Sequence, residues 1–77
     1  MSHQTLTAAE AERRMADAAH AEAQGRYREA AHLYDRLGKE IQAQFGRFDS
    51  RVLDAFEGVA RAVRRGTKDG GSWFARP

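Results

Sequence analysis

Cysteine is missing from this 77-residue chain, and its one proline is the last residue. Without cysteine there is no disulfide framework and no thiolate metal site to staple a small core. Without internal proline, nothing in the body of the chain forces a helix to stop. No apolar run approaches the roughly 20 residues that span a bilayer. Met1 to Gln24 alternates charge with alanine where a secretory leader would carry an apolar segment. Strand-type alternation is absent as well. Nor does one sign of charge dominate: 13 Lys and Arg stand against 11 Asp and Glu along the chain, which is too balanced to argue for nucleic acid by itself. What is present is alanine and charge, the latter 31% of residues, the composition of a soluble helical protein. A cytoplasmic location is expected, and the lack of cysteine permits it. A chain of this length forms one domain at most and hides only roughly 60–65% of its unfolded surface, so its stability margin is thin.

Three periodic runs divide the sequence. Thr7-Ala8-Ala9-Glu10 has the form of a capping box and predicts a helix from Ala8 to about Gln24. Glu10 with Arg14, and Arg13 with Asp17, have the spacing of ion pairs on its wet side, while Ala11, Met15, Ala18, Ala19 and Ala23 form a shallow apolar stripe. Gly25 provides a left-handed stop, and the short link after it forces an antiparallel hairpin. In the second helix Tyr27, Ala30, Ala31, Tyr34, Leu37, Ile41 and Phe45 recur at three- and four-residue steps, with Leu33 and Gly38 beside the seam. Gly38 costs about 1 kcal/mol of helix propensity, which a close approach by another helix would explain, with a kink as the alternative. Gly46 is the next stop, and Asp49 is the expected N-cap, with Phe48 and Leu53 at the spacing of a hydrophobic staple. The third helix is predicted over Ser50 to Arg65, with Val52, Phe56, Val59, Ala60 and Val63 toward the core and Gly66 closing it. The chain thus reads as an all-α, three-helix antiparallel bundle: an arm over 1–7, a helical domain over 8–65 and a flexible, glycine-rich tail over 66–77.

The stretch "GRYREAAHLYDRL" resembles the turn and second helix of a tetratricopeptide repeat, written loosely G-x-Y-x-E-A-x-x-x-Y-x-x-A. Gly25, Tyr27, Glu29, Ala30 and Tyr34 match, and Leu37 replaces the usual small residue. The resemblance covers Met15 to Arg65, with "FGRFDSRVLDAFEGVARAV" similar to the linker and next helix of such proteins. On the first helix the family's large apolar positions fall at Arg14, Asp17 and Ala21, and only the small residue Ala18 agrees. The same hairpin is similar to that of the microtubule-interacting and trafficking domain, a three-helix bundle of about this size. Either resemblance implies a helical groove that accepts a partner helix or peptide. The concave positions would be Glu12, Met15, Ala19, Glu22 and Ala23.

Chemistry is sparse. His3, His20 and His32 lack metal-ligand spacing, and there is no phosphate loop or nucleophile–base pair, so neither an enzyme nor a cofactor is expected. Arg61, Arg64, Arg65 and Lys68 make a local positive field that could bind phosphate; dipole compensation and solubility are the favoured account of it. Trp73 and Phe74 either dock on a groove, in this copy or another, or end the chain without a role. The expected function is non-catalytic: a protein-interaction or assembly module that binds a peptide, a partner protein or itself. The alternative is a nucleic-acid accessory protein using the basic cluster. Homo-oligomerisation is expected because Leu33, Phe45, Phe48, Trp73 and Phe74 exceed what so small a core covers.

Overall fold

A computed structural model describes residues 6–68, with the side chain of Lys68 excepted. They form α1 (Ala8–Ala23), α2 (Tyr27–Phe45) and α3 (Ser50–Lys68), with no strand among the described residues. The chain is an all-α, three-helix antiparallel bundle. α2 is the central helix: α1 and α3 both pack on it and touch each other little.

Local chemistry sets the boundaries. Thr7 is extended, and its hydroxyl accepts the Glu10 N–H at 3.0 Å, so one half of the capping box forms. The other half does not, because the Glu10 carboxylate pairs with Arg13 at 2.9 Å. The expected Arg14 partner is lost to α2: Arg14 reaches the Glu40 carboxylate with both terminal nitrogens, at 2.7 and 3.2 Å. α1 ends in a Schellman motif, with Gly25 at φ 81°, its N–H on Glu22 C=O and the Arg26 N–H on Ala21 C=O. At the start of α3, Asp49 Oδ1 accepts the Arg51 N–H at 2.9 Å, as an N-cap should. The hydrophobic staple does not follow, since both Phe48 and Leu53 remain on the surface. Gly66 does not close α3. It has no positive φ and lies buried, and the helix runs on to Lys68.

The core has two parts bridged by Met15. One gathers Ala18, Ala21, Ala30, Ala31, Tyr34 and Ala62; the other gathers Leu6, Ala11, Leu37, Ile41 and Val52. Leu37 and Ile41 are its largest fully buried side chains, each worth about 1.5–3 kcal/mol of burial. Leu6 belongs to the core although it precedes α1. Its N–H donates to Gln44 Oε1, and its carbonyl accepts from Gln44 Nε2.

Two predicted faces hold in part: Ala11, Ala18 and Val52 are buried and Met15, Phe56, Val59 and Val63 pack against the core as expected, but other positions differ. On α1, Ala19 and Ala23 are exposed, while Ala21 and Glu22 are buried. On α3, Ala60 is exposed; Phe56, Val59 and Val63 are half-buried around a deeper row of Ala55, Gly58, Ala62 and Gly66. The reason is steric. A Cβ on Gly38 would lie 2.9 Å from the Phe56 ring, and one on Gly58 would lie 2.7 Å from the Tyr34 ring. Each of the two helices offers a glycine to an aromatic of the other, so α2 and α3 approach closely only along their smallest residues.

Candidate interaction surface

Glu22, Tyr34 and Arg61 come from three different helices and meet at one polar point. Glu22 is only 6% exposed. Its Oε2 accepts from Arg61 Nε at 2.7 Å; its Oε1 accepts from Arg61 Nη2 at 3.0 Å and from the Tyr34 hydroxyl at 3.1 Å. Arg65 stands 3.6 Å from the same carboxylate. The bond from Arg61 holds Glu22 below the usual carboxylate range, against the opposing effect of burial. Burial first, and the bond to Glu22 second, push Tyr34 above its ordinary value. A buried carboxylate fully hydrogen-bonded in this way is a structural lock. It joins α1 to α3, which otherwise barely touch.

The lock decides the fate of several candidate residues. Glu22 is not a free concave-surface group, and Met15 is half-buried in the core, while Glu12, Ala19 and Ala23 stay exposed. The proposed concave set is therefore split between core and surface. The basic cluster is split too: Arg61 is engaged by Glu22, Arg65 lies close to it, and Arg64 stands exposed with no ion pair among the described residues. The Lys68 side chain, Trp73 and Phe74 lie outside the described residues. Leu33 is half-buried against the first core cluster. His20 and His32 are exposed, and among the described residues no group of three His, Cys, Asp or Glu is placed to hold a metal ion. No helix among them is long and apolar enough to cross a membrane.

Among the described residues the exposed large hydrophobic side chains lie at the α2–α3 corner: Phe48 (91%), Leu53 (61%) and Phe45 (40%). Beside them lies an open groove of about 520 Å³, with Gln42, Phe48, Val52, Leu53 and Phe56 among its walls. One cation is held rigidly at this corner. Asp49 binds Arg51 through Nε at 2.9 Å and Nη2 at 2.8 Å, and so fixes its guanidinium 4.6 Å from the Phe45 ring centre. Those bonds bring the Asp49 carboxyl down to about 2. Arg47 lies over the Phe48 ring at 5.5 Å. Phe45 and Phe48 stood out in the sequence as surplus aromatics. Leu53 did not, because the staple pattern assigned it an internal partner.

No family model, curated protein or solved structure matches the chain.

Proposed function

We propose that this chain is a small, non-catalytic interaction or assembly module that docks a protein partner, a second copy included, on its α2–α3 corner. The observation that carries the reading is the placement of Phe45, Phe48 and Leu53 together at one end of the bundle, beside an apolar groove and a fixed arginine. Large apolar side chains exposed near one another mark interfaces in small proteins, and aromatic residues with arginine are their commonest anchors. The resemblance of Gly25–Leu37 to the turn and second helix of a tetratricopeptide repeat fits an adaptor. In this proposal, though, the contact lies at the corner and not on the concave positions of α1. The nucleic-acid alternative draws less support, because the Glu22 carboxylate is bonded to Arg61 and adjacent to Arg65.

The test is light scattering over a concentration series with the wild type and the double variant Phe48→Asp, Leu53→Asp. Both side chains contribute little to the core, so the variant should keep its far-UV spectrum and its thermal midpoint at low concentration. The wild type is expected to associate in the micromolar range and the variant to remain monomeric. Equal association of the two would remove the corner from the proposal.

A further inference from the structure

The outward face of α3 is complementary to itself. Successive helical residues turn by about 100°, so Leu53, Glu57, Ala60, Arg64 and Thr67 fall on one stripe. That stripe is opposite the row of Ala55, Gly58, Ala62 and Gly66 that meets α2, and all five of its residues are exposed. Its charges are ordered, with Glu57 before the exposed Ala60 and Arg64 after it. Neither Glu57 nor Arg64 forms an ion pair among the described residues. The helix dipole explains why the acid comes early and the base late. It does not explain why both share the face turned away from the core with a small residue midway between them.

The geometry points to a second copy of this chain packed with its α3 antiparallel on this stripe, the two-fold axis passing beside Ala60, between the levels of residues 60 and 61. In that register Glu57 faces the partner's Arg64 and Arg64 faces the partner's Glu57, two identical contacts closed by the symmetry. Ala60 meets its own counterpart and lets the axes approach. Leu53 lies against the partner's Thr67, so the exposed Phe48–Leu53 corner receives the C-terminal end of the other α3. A parallel arrangement would set Glu57 against Glu57 and Arg64 against Arg64, which like-charge repulsion disfavours. This inference rests on the corner reading above and adds the identity and direction of the partner.

Charge reversal tests it without touching the core. Glu57→Arg alone and Arg64→Glu alone each turn both contacts repulsive, and each should weaken self-association about ten- to a hundredfold in sedimentation equilibrium. Mixing the two single variants should restore a heterodimer, because each then supplies the charge that the other needs. The double variant Glu57→Arg, Arg64→Glu should likewise dimerise as the wild type does. The chain has no cysteine of its own. Ala60→Cys should therefore give a disulfide-linked dimer under mild oxidation, since Cα atoms at the axis can reach the roughly 4.4–6.8 Å that the bond needs. Glu12→Cys on α1 should not. A wild type that dimerises and is dissociated by the corner variant, yet ignores both charge reversals, would overturn the antiparallel register and leave the corner reading standing. A wild type that stays monomeric at high micromolar concentration would overturn the self-pairing altogether.

Discussion

Replacing Tyr34 and Gly58 singly and together measures the closest contact in the bundle. Tyr34 is 2% exposed, and truncating a buried aromatic to alanine costs about 3–5 kcal/mol. A chain of 77 residues has a total stability of roughly 4–12 kcal/mol, so Tyr34→Ala removes a large part of it. Gly58→Ala acts on the same contact from the other side. Its Cβ would stand 2.7 Å from two ring atoms and 2.8 Å from a third, well inside the roughly 3.5–4.0 Å optimum for carbon pairs. The ring cannot easily retreat, because its hydroxyl is bonded to Glu22. Overpacking of this kind costs about 1–3 kcal/mol, offset by about 1 kcal/mol of helix propensity that alanine gains over glycine. Once Tyr34→Ala has removed the ring, only the propensity gain remains. Gly58→Ala should then stabilise by about 1 kcal/mol, giving a coupling of about 1–3 kcal/mol between the two positions. Urea denaturation followed by circular dichroism, at one fixed protein concentration because association would add stability, provides all four corners of the cycle. Equal effects of Gly58→Ala in the two backgrounds would refute the argument that this glycine exists to admit the ring.

Two further expectations follow from the polar lock and the basic cluster. Glu22 is held below its ordinary pKa by Arg61, so its contribution is complete above about pH 4.5 and is lost as pH falls through the depressed folded value. Tyr34, raised by burial and by Glu22, contributes below about pH 10 and loses that contribution as pH rises through its raised value. Stability against pH should thus fall at both ends. Glu22→Gln should flatten the acid limb and Tyr34→Phe the alkaline one; limbs that ignore these variants would show the lock to be energetically silent. DNA and RNA oligonucleotides should bind weakly at physiological salt, since Glu22 offsets much of the charge of Arg61 and Arg65. Tight binding that Arg64→Gln with Arg65→Gln abolishes would place the nucleic-acid reading first.

The helices and their breaks were legible in the sequence because each rests on near neighbours. Thr7, Gly25 and Asp49 act on groups within a few residues, and the run from Tyr27 to Ile41 carries enough bulk to define its own inner face. Faces made of alanine were harder to place, since such side chains differ little in what they gain by burial. Ala19 and Ala23 on α1 and Ala60 on α3 were misplaced for that reason, whereas Ala11, Ala18 and Val52 are buried and Met15, Phe56, Val59 and Val63 pack against the core as expected. Glu22 was unreadable by local pattern: its burial depends on Arg61, which lies 39 positions away, and on a tyrosine from the helix between them. Gly58 and Gly66 carried the same ambiguity as any helical glycine, between a stop and a close contact, and only the position of the neighbouring helix separates the two. Leu53 was hidden by a staple pattern that Phe48 does not complete.

The two rows of α3 divide the work of the helix. Ala55, Gly58, Ala62 and Gly66 face inward, where small size brings α2 within reach and allows Tyr34 and Phe56 to fill the space. Leu53, Glu57, Ala60, Arg64 and Thr67 face outward and share no residue with that row. Substitutions on the outer row can therefore change association without a direct effect on packing, and substitutions on the inner row should unfold the monomer before they affect any partner. Arg61 lies between the two rows. It binds Glu22 on α1 and passes 5.8 Å from the Tyr34 ring centre, and so fixes α3 in rotation about its own axis. A helix held at that angle presents Glu57 and Arg64 together, away from α2. Loss of the Arg61–Glu22 bond should then loosen the direction of the outer stripe as well as α1. Under the self-pairing proposed above, Arg61→Met should weaken the dimer even though Arg61 is not on the contacting face.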